Sequence, residues 1–189
     1  MLTDALLFVI QSVSGFFAGT LLLRFWMQWC RAPARNPLAE FVQTLTNFAV
    51  LPARRLIPGL WGMDLASLVL TWGVLIIEAV LTLVVKGYAP SSGAAIGAIL
   101  LLALVMLLRL AIYLAIGSII LMVIISWVNP ASPMASLINV LTRPLLRPIQ
   151  RVVPPIGIVD LSPLIALLLL QLILMLPLAY LERMIGAIF

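Results

Sequence analysis

The sequence predicts an all-α integral membrane protein with four transmembrane helices. They are arranged as two parallel tandem repeats, each carrying one interfacial amphipathic helix. Three observations predict this. The mean hydropathy is +1.27, with 65% apolar and only 9% charged residues, whereas an average soluble domain carries about 25% charged residues. Four apolar runs are long enough to cross a hydrocarbon core of about 30 Å. Finally, one stretch recurs at a fixed displacement of 96 residues without a gap. Thr46, Pro52, Arg55, Pro58, Asp64, Leu65 and Leu68 return as Thr142, Pro148, Arg151, Pro154, Asp160, Leu161 and Leu164. The shared pattern is T-x5-P-x-x-R-x-x-P-x5-D-L-x-x-L, and a fixed period of this kind marks a duplication. The repeats are assigned to residues 1–88 and 94–189.

The first span runs from about Leu6 to Trp29. Met1-Leu2-Thr3-Asp4 has no basic region, so the run reads as a retained helix and not a signal peptide. Trp26 and Trp29 suit an aromatic belt, and Arg24 can snorkel toward the same interface. Pro33 and its charged neighbours break the helix. Asn36-Pro37 then supplies an N-cap followed by proline at the first helical position. Leu38, Phe41, Val42, Leu45, Phe48 and Ala49 form an apolar stripe, with Glu40, Gln43, Thr44 and Asn47 opposite. The segment is too polar to span and should lie in the interface plane, ended by Pro52 and Pro58.

Asp64 opens the second span, Leu65 to Val85, and a Gly/Pro/Ser turn from Lys86 to Gly93 follows. The third run, about Ala94 to Val128, is too long for one perpendicular helix. Either it tilts and projects, or residues 94–107 form a separate interfacial or re-entrant piece. Ser132-Pro133 repeats the cap, and Met134, Leu137, Ile138, Leu141 and Leu145 repeat the stripe. Asp160 opens the fourth span, Leu161 to about Tyr180.

Charge sets topology. The net charge is +5, and eight of the eleven Lys and Arg lie between Arg24 and Arg55 or between Arg143 and Arg151. The positive-inside rule puts both motif loops in the cytoplasm and both termini on the opposite side. Two spans per repeat give both copies the same orientation, related by a pseudo-two-fold axis along the membrane normal.

Candidate functional residues fall in three groups. Arg54, Arg55, Arg143, Arg147 and Arg151 flank the amphipathic helices. They suit anionic lipid headgroups, each cation contributing about 1 kcal/mol near an anionic leaflet, or a membrane-protein partner. Asp64 and Asp160 read as helix caps, or as a pair about the repeat axis joined to Arg55 and Arg151. Glu78 and Arg109 are intramembrane charges at similar depth, either an ion pair or separate snorkelling groups. Gly15/Gly19 and Gly93/Gly97 have the small-xxx-small spacing that permits close helix approach. There is no histidine and one cysteine, which leaves no ordinary nucleophile–base constellation and no internal disulfide. The chain shows no metal-ligand cluster, no phosphate-binding glycine loop and no basic–aromatic run for direct nucleic-acid contact. No cofactor and no enzymatic activity are expected.

The stretches Leu51-Pro-Ala-Arg-Arg-Leu-Ile-Pro and Arg147-Pro-Ile-Gln-Arg-Val-Val-Pro, with Ser126-Trp127-Val128 and Arg143-Pro144-Leu145-Leu146-Arg147-Pro148, resemble the repeat signature of the YggT family and its YlmG relatives. The first copy departs at Asn47-Phe48, where the second has Arg143-Pro144. The resemblance implies a multi-pass protein of the bacterial inner (cytoplasmic) membrane. It also implies settings that include osmotic or cation-stress tolerance, cell division, nucleoid distribution and, in plastids, haem attachment to a cytochrome. It carries over no catalytic residue. The expected function is a scaffold or assembly factor; the alternative is a component of a cation channel or transporter.

Overall fold

The computed structural model describes residues 1–33, 36–59, 62–88, 93–153 and 160–188. Pro154 of the second motif copy, Arg35 and the tip of the central turn lie outside the described residues. The chain is helical throughout, in the order α1 (Leu2–Trp29), α2 (Pro37–Leu56), α3 (Leu65–Val85), α4 (Gly93–Val128), α5 (Pro133–Val152), α6 (Ser162–Ile173), a π-helical turn (Leu174–Leu178) and α7 (Ala179–Gly186). Helices α1, α3 and α4, and the continuous rod from Ser162 to Gly186, are long and apolar enough to cross a membrane.

The duplication is visible residue for residue. Helices α2 and α5 each hold 20 residues, and both ends are displaced by the repeat period. Their caps agree with expectation: the Asn36 side chain accepts from the Ala39 N–H at 2.9 Å, and Ser132 Oγ from the Ala135 N–H at 3.1 Å. Pro52 does not end α2, contrary to the sequence reading; it and its equivalent Pro148 each lie one turn inside the C-terminus. Proline there forfeits a single hydrogen bond near an end that frays anyway. That extra turn determines which arginine meets Asp64.

Helix α4 is one unbroken helix of 36 residues, so residues 94–107 belong to the third span. At 1.5 Å per residue it is about 54 Å long, well beyond the hydrocarbon thickness. It contributes to all five apolar clusters of the described residues, through Ala115, Ala98, Ala103, Ile99 and Ile119. Alanines on its buried face let neighbouring helices approach closely. The glycine spacings do not serve that end: a Cβ built on Gly15, Gly19, Gly93 or Gly97 would meet nothing within 4 Å.

The amphipathic helices do more than rest on an interface. Val42 of α2 and Leu137, Ile138 and Leu141 of α5 join Trp26, Met27 and Ala115 in one core at the ends of α1 and α4. Trp26 is therefore buried, its indole N–H donating to the Leu141 carbonyl at 3.3 Å, while Trp29 keeps the exposed position expected of a belt residue. The fourth span contains Pro177 within its π turn. A proline lacks the N–H for the helical ladder, and a π turn absorbs the misfit.

Candidate functional site

Along α2, positions 46, 50 and 54 follow one another at i+4 spacing and share a face. Thr46 and Val50 on that stripe are fully buried. Arg54 continues it and meets α3, where its Nη2 lies 2.6 Å and its Nε 3.1 Å from the two oxygens of Asp64. Both arginines are exposed, but Arg55, about 100° further round the helix, makes no bond to Asp64. The sequence expectation of an Arg55–Asp64 pair is thus corrected by one residue.

Asp64 is 2% exposed. Besides Arg54 it accepts from the Ser67 hydroxyl at 2.6 Å, and Arg24 Nε lies 3.6 Å away. It stands at the N-cap of α3, yet its side chain makes no capping bond to the backbone. Burial opposes its ionised form, but the hydrogen bonds from Arg54 and Ser67 outweigh burial and hold the carboxyl below the usual carboxylate range. The same contact raises the Arg54 pKa.

Arg24 completes the junction and is the residue that sequence reasoning missed. It does not snorkel: it is 7% exposed, and its Nη1 donates to Thr46 Oγ1 at 2.7 Å and to Asn47 Oδ1 at 2.9 Å. Its position 96 residues on is Ile120, and that difference was the available signal.

The second copy is built differently. Gln150 stands where the first has Arg54, and its amide donates to Asp160 at 2.9 Å. Asp160 also accepts from the Ser162 backbone N–H at 2.8 Å, as a helix-end acceptor. The Ser162 contacts lower its pKa against a small burial cost. Asp160 is exposed, α6 starts at Ser162, and Arg151 is exposed on another face. Asp64 and Asp160 are therefore each satisfied within their own repeat. They form no mutual contact and no site about a shared axis.

Arg143 and Arg147 are exposed on α5. With Trp29 and Arg31 they line a cleft of about 370 Å³. Arg31 also lines a second cleft of about 330 Å³ with Arg24, Gln28 and Arg54. Its backbone is left-handed, with φ 53°, a region uncommon for a residue with a side chain. The local bonds explain it. Arg31 N–H donates to the Gln28 carbonyl at 3.0 Å and Ala32 N–H to the Met27 carbonyl at 2.9 Å. This is the helix-ending pattern that usually employs glycine, as Gly87 does after α3 with φ 87°. Among the described residues, no carboxylate pairs with Arg31, Arg143 or Arg147.

The intramembrane pair is also corrected. Arg109 bonds to Glu182 of α7, not to Glu78. The π turn precedes Glu182, and one extra residue rotates all that follows by about 100°, which a straight-helix depth estimate does not capture. Both charges are partly exposed, so exchanging them tests the pair. Arg109→Glu or Glu182→Arg alone should destabilise the protein in detergent by roughly 1–2 kcal/mol. The double exchange should recover most of the loss; two additive defects would contradict the pairing.

The sequence pattern of the CCB3/YggT family matches residues 3–85 and 101–181, one match per repeat. The chain is 37% identical to the uncharacterised protein PA0392 of Pseudomonas aeruginosa over 98% of its own length and 94% of that protein. It is 35% identical to the uncharacterised protein YggT of Escherichia coli strain K12, over 90% of the chain and 87% of the relative. An uncharacterised Vibrio alginolyticus protein, described as in the proC 3' region, is 30% identical over 89% of the chain and 90% of the relative. No solved structure matches.

Proposed function

Because this chain belongs to the CCB3/YggT family, we propose that it is a non-enzymatic scaffold or assembly factor of the bacterial inner membrane. In this reading it grips anionic headgroups of the cytoplasmic leaflet through its α1–α5 cleft and presents that face to a membrane-protein partner. One observation carries the reading: Arg31, Arg143 and Arg147 surround a single cleft without a carboxylate to neutralise them. Guanidinium groups bind phosphate oxygens by bidentate hydrogen bonds, and Trp29 beside them suits the headgroup level. Arg55 and Arg151 are further exposed cations outside the cleft. A role in osmotic or envelope stress, or in membrane organisation, rests on the family resemblance.

The test is lipid co-purification. Arg143→Gln with Arg147→Gln removes two cations of about 1 kcal/mol each, so phosphatidylglycerol or cardiolipin enrichment should fall roughly thirtyfold. Unchanged enrichment would refute the cleft as the headgroup site. Reconstitution in liposomes separates scaffold from conduit. The scaffold reading expects no ion flux from the pure protein, and specific cation flux would replace it with the channel alternative. Crosslinking in intact membranes from the Arg55 face then identifies the partner.

A further inference from the structure

A third cavity, of about 500 Å³, lies at the other end of the bundle, between the repeats. It is lined by Gln11 of α1, Glu78 and Thr82 of α3, Lys86 just beyond it, Arg109 of α4 and Glu182 of α7. Two of these groups are incompletely satisfied. Glu78 is 7% exposed and has no hydrogen bond or ion pair among the described residues. Arg109 spends a terminal nitrogen on Glu182, while its buried Nε has no partner. Glu78 and Arg109, whose charges are costly to leave bare in a low-dielectric setting, thus line one space.

We propose that this cavity binds a zwitterionic group, with its ammonium against Glu78 and its anionic oxygens toward Arg109 and Lys86. The charges lining the cavity sum to zero, two carboxylates against two cations, which matches a neutral dipolar ligand better than a bare ion. A metal ion requires several hard oxygen ligands, and no cluster of three acidic, histidine or cysteine side chains exists among the described residues. The volume lies within the range of small-molecule sites. The phosphoethanolamine diester has this chemistry, whether as the headgroup of a membrane lipid or as soluble glycerophosphoethanolamine. The site is separate from the arginine cleft and does not depend on what that cleft holds.

Native mass spectrometry of the full chain, equilibrated with equal phosphatidylethanolamine and phosphatidylglycerol, is the experiment. Glu78→Gln keeps the shape and removes the charge. The lost ammonium–carboxylate contact should reduce retained phosphatidylethanolamine about tenfold, while Glu40→Gln, on the exposed polar face of α2, should change nothing. If Glu78→Gln does not survive purification, Gly186→Leu reads the same loss. Gly186 lines the cavity, and a Cβ built there meets nothing within 4 Å. Displacement by soluble glycerophosphoethanolamine assigns the affinity to the headgroup chemistry alone; resistance to it assigns the intact lipid. Phosphatidylethanolamine retention that survives both substitutions, or none by the unaltered protein, overturns the proposal.

Discussion

Asp64→Ala should cost about 3–5 kcal/mol of unfolding free energy, and Asp160→Ala only about 1 kcal/mol. The two residues are equivalent by repeat, so the ratio tests the environment and not the residue type. Removing the Asp64 carboxylate leaves the buried Arg24 charge without its counter-ion and frees Arg54 from a two-point contact. An uncompensated buried charge is what makes breaking such a pair expensive. Removing Asp160 leaves an exposed amide and the Ser162 backbone N–H without this acceptor, but strands no buried charge. Denaturant unfolding in a single detergent, monitored by tryptophan fluorescence, would measure both; equal losses would mean that the Arg24 junction carries no special weight.

The same carboxylate gives the pH dependence a sign. Its folded pKa lies below its ordinary value. The associated stabilisation is therefore complete at neutral pH, above the unfolded pKa of about 4, and is lost on acidification through the folded value. Asp64→Asn should remove most of that acid-side slope, while Asp160→Asn should leave it largely in place.

Leu141→Ala should cost about 2–5 kcal/mol. Leu141 is 1% exposed, in the core that joins α1, α2, α4 and α5, and its carbonyl receives the Trp26 indole. Its repeat equivalent, Leu45, is only half-buried, and Leu45→Ala should cost about 1 kcal/mol. Thermal melts of the two variants decide the point. Comparable shifts would show that the core is shared equally between the repeats.

The features legible in the sequence were those set by local chemistry. Asn36-Pro37 and Ser132-Pro133 announced their helix starts because a cap needs only its next three residues. The apolar runs announced the spans because composition alone decides partition into hydrocarbon. The candidate site was harder to read because it depends on helical phase. Ending α2 at Pro52 discarded the turn that aims Arg54, not Arg55, at Asp64. Ending the fourth span at about Tyr180 left Glu182 outside it and so hid the partner of Arg109. Arg24 looked like an interface residue because nothing on its own helix shows that Thr46, Asn47 and Asp64 wait for it across the fold.

The bond from Trp26 to the Leu141 carbonyl spans 115 residues, and it bears on how the protein is made. During synthesis the first repeat enters the membrane well before α5 exists. The Trp26–Met27 end of α1 has by then no α5 to cover it, and the indole N–H lacks its acceptor. The early half is accordingly an incomplete product, which an insertase is expected to hold until Leu137, Ile138 and Leu141 arrive. A ribosome-stalled nascent chain ending before α5 should show the Trp26 region crosslinked to insertion machinery. Lengthening the chain past Val152 should release it.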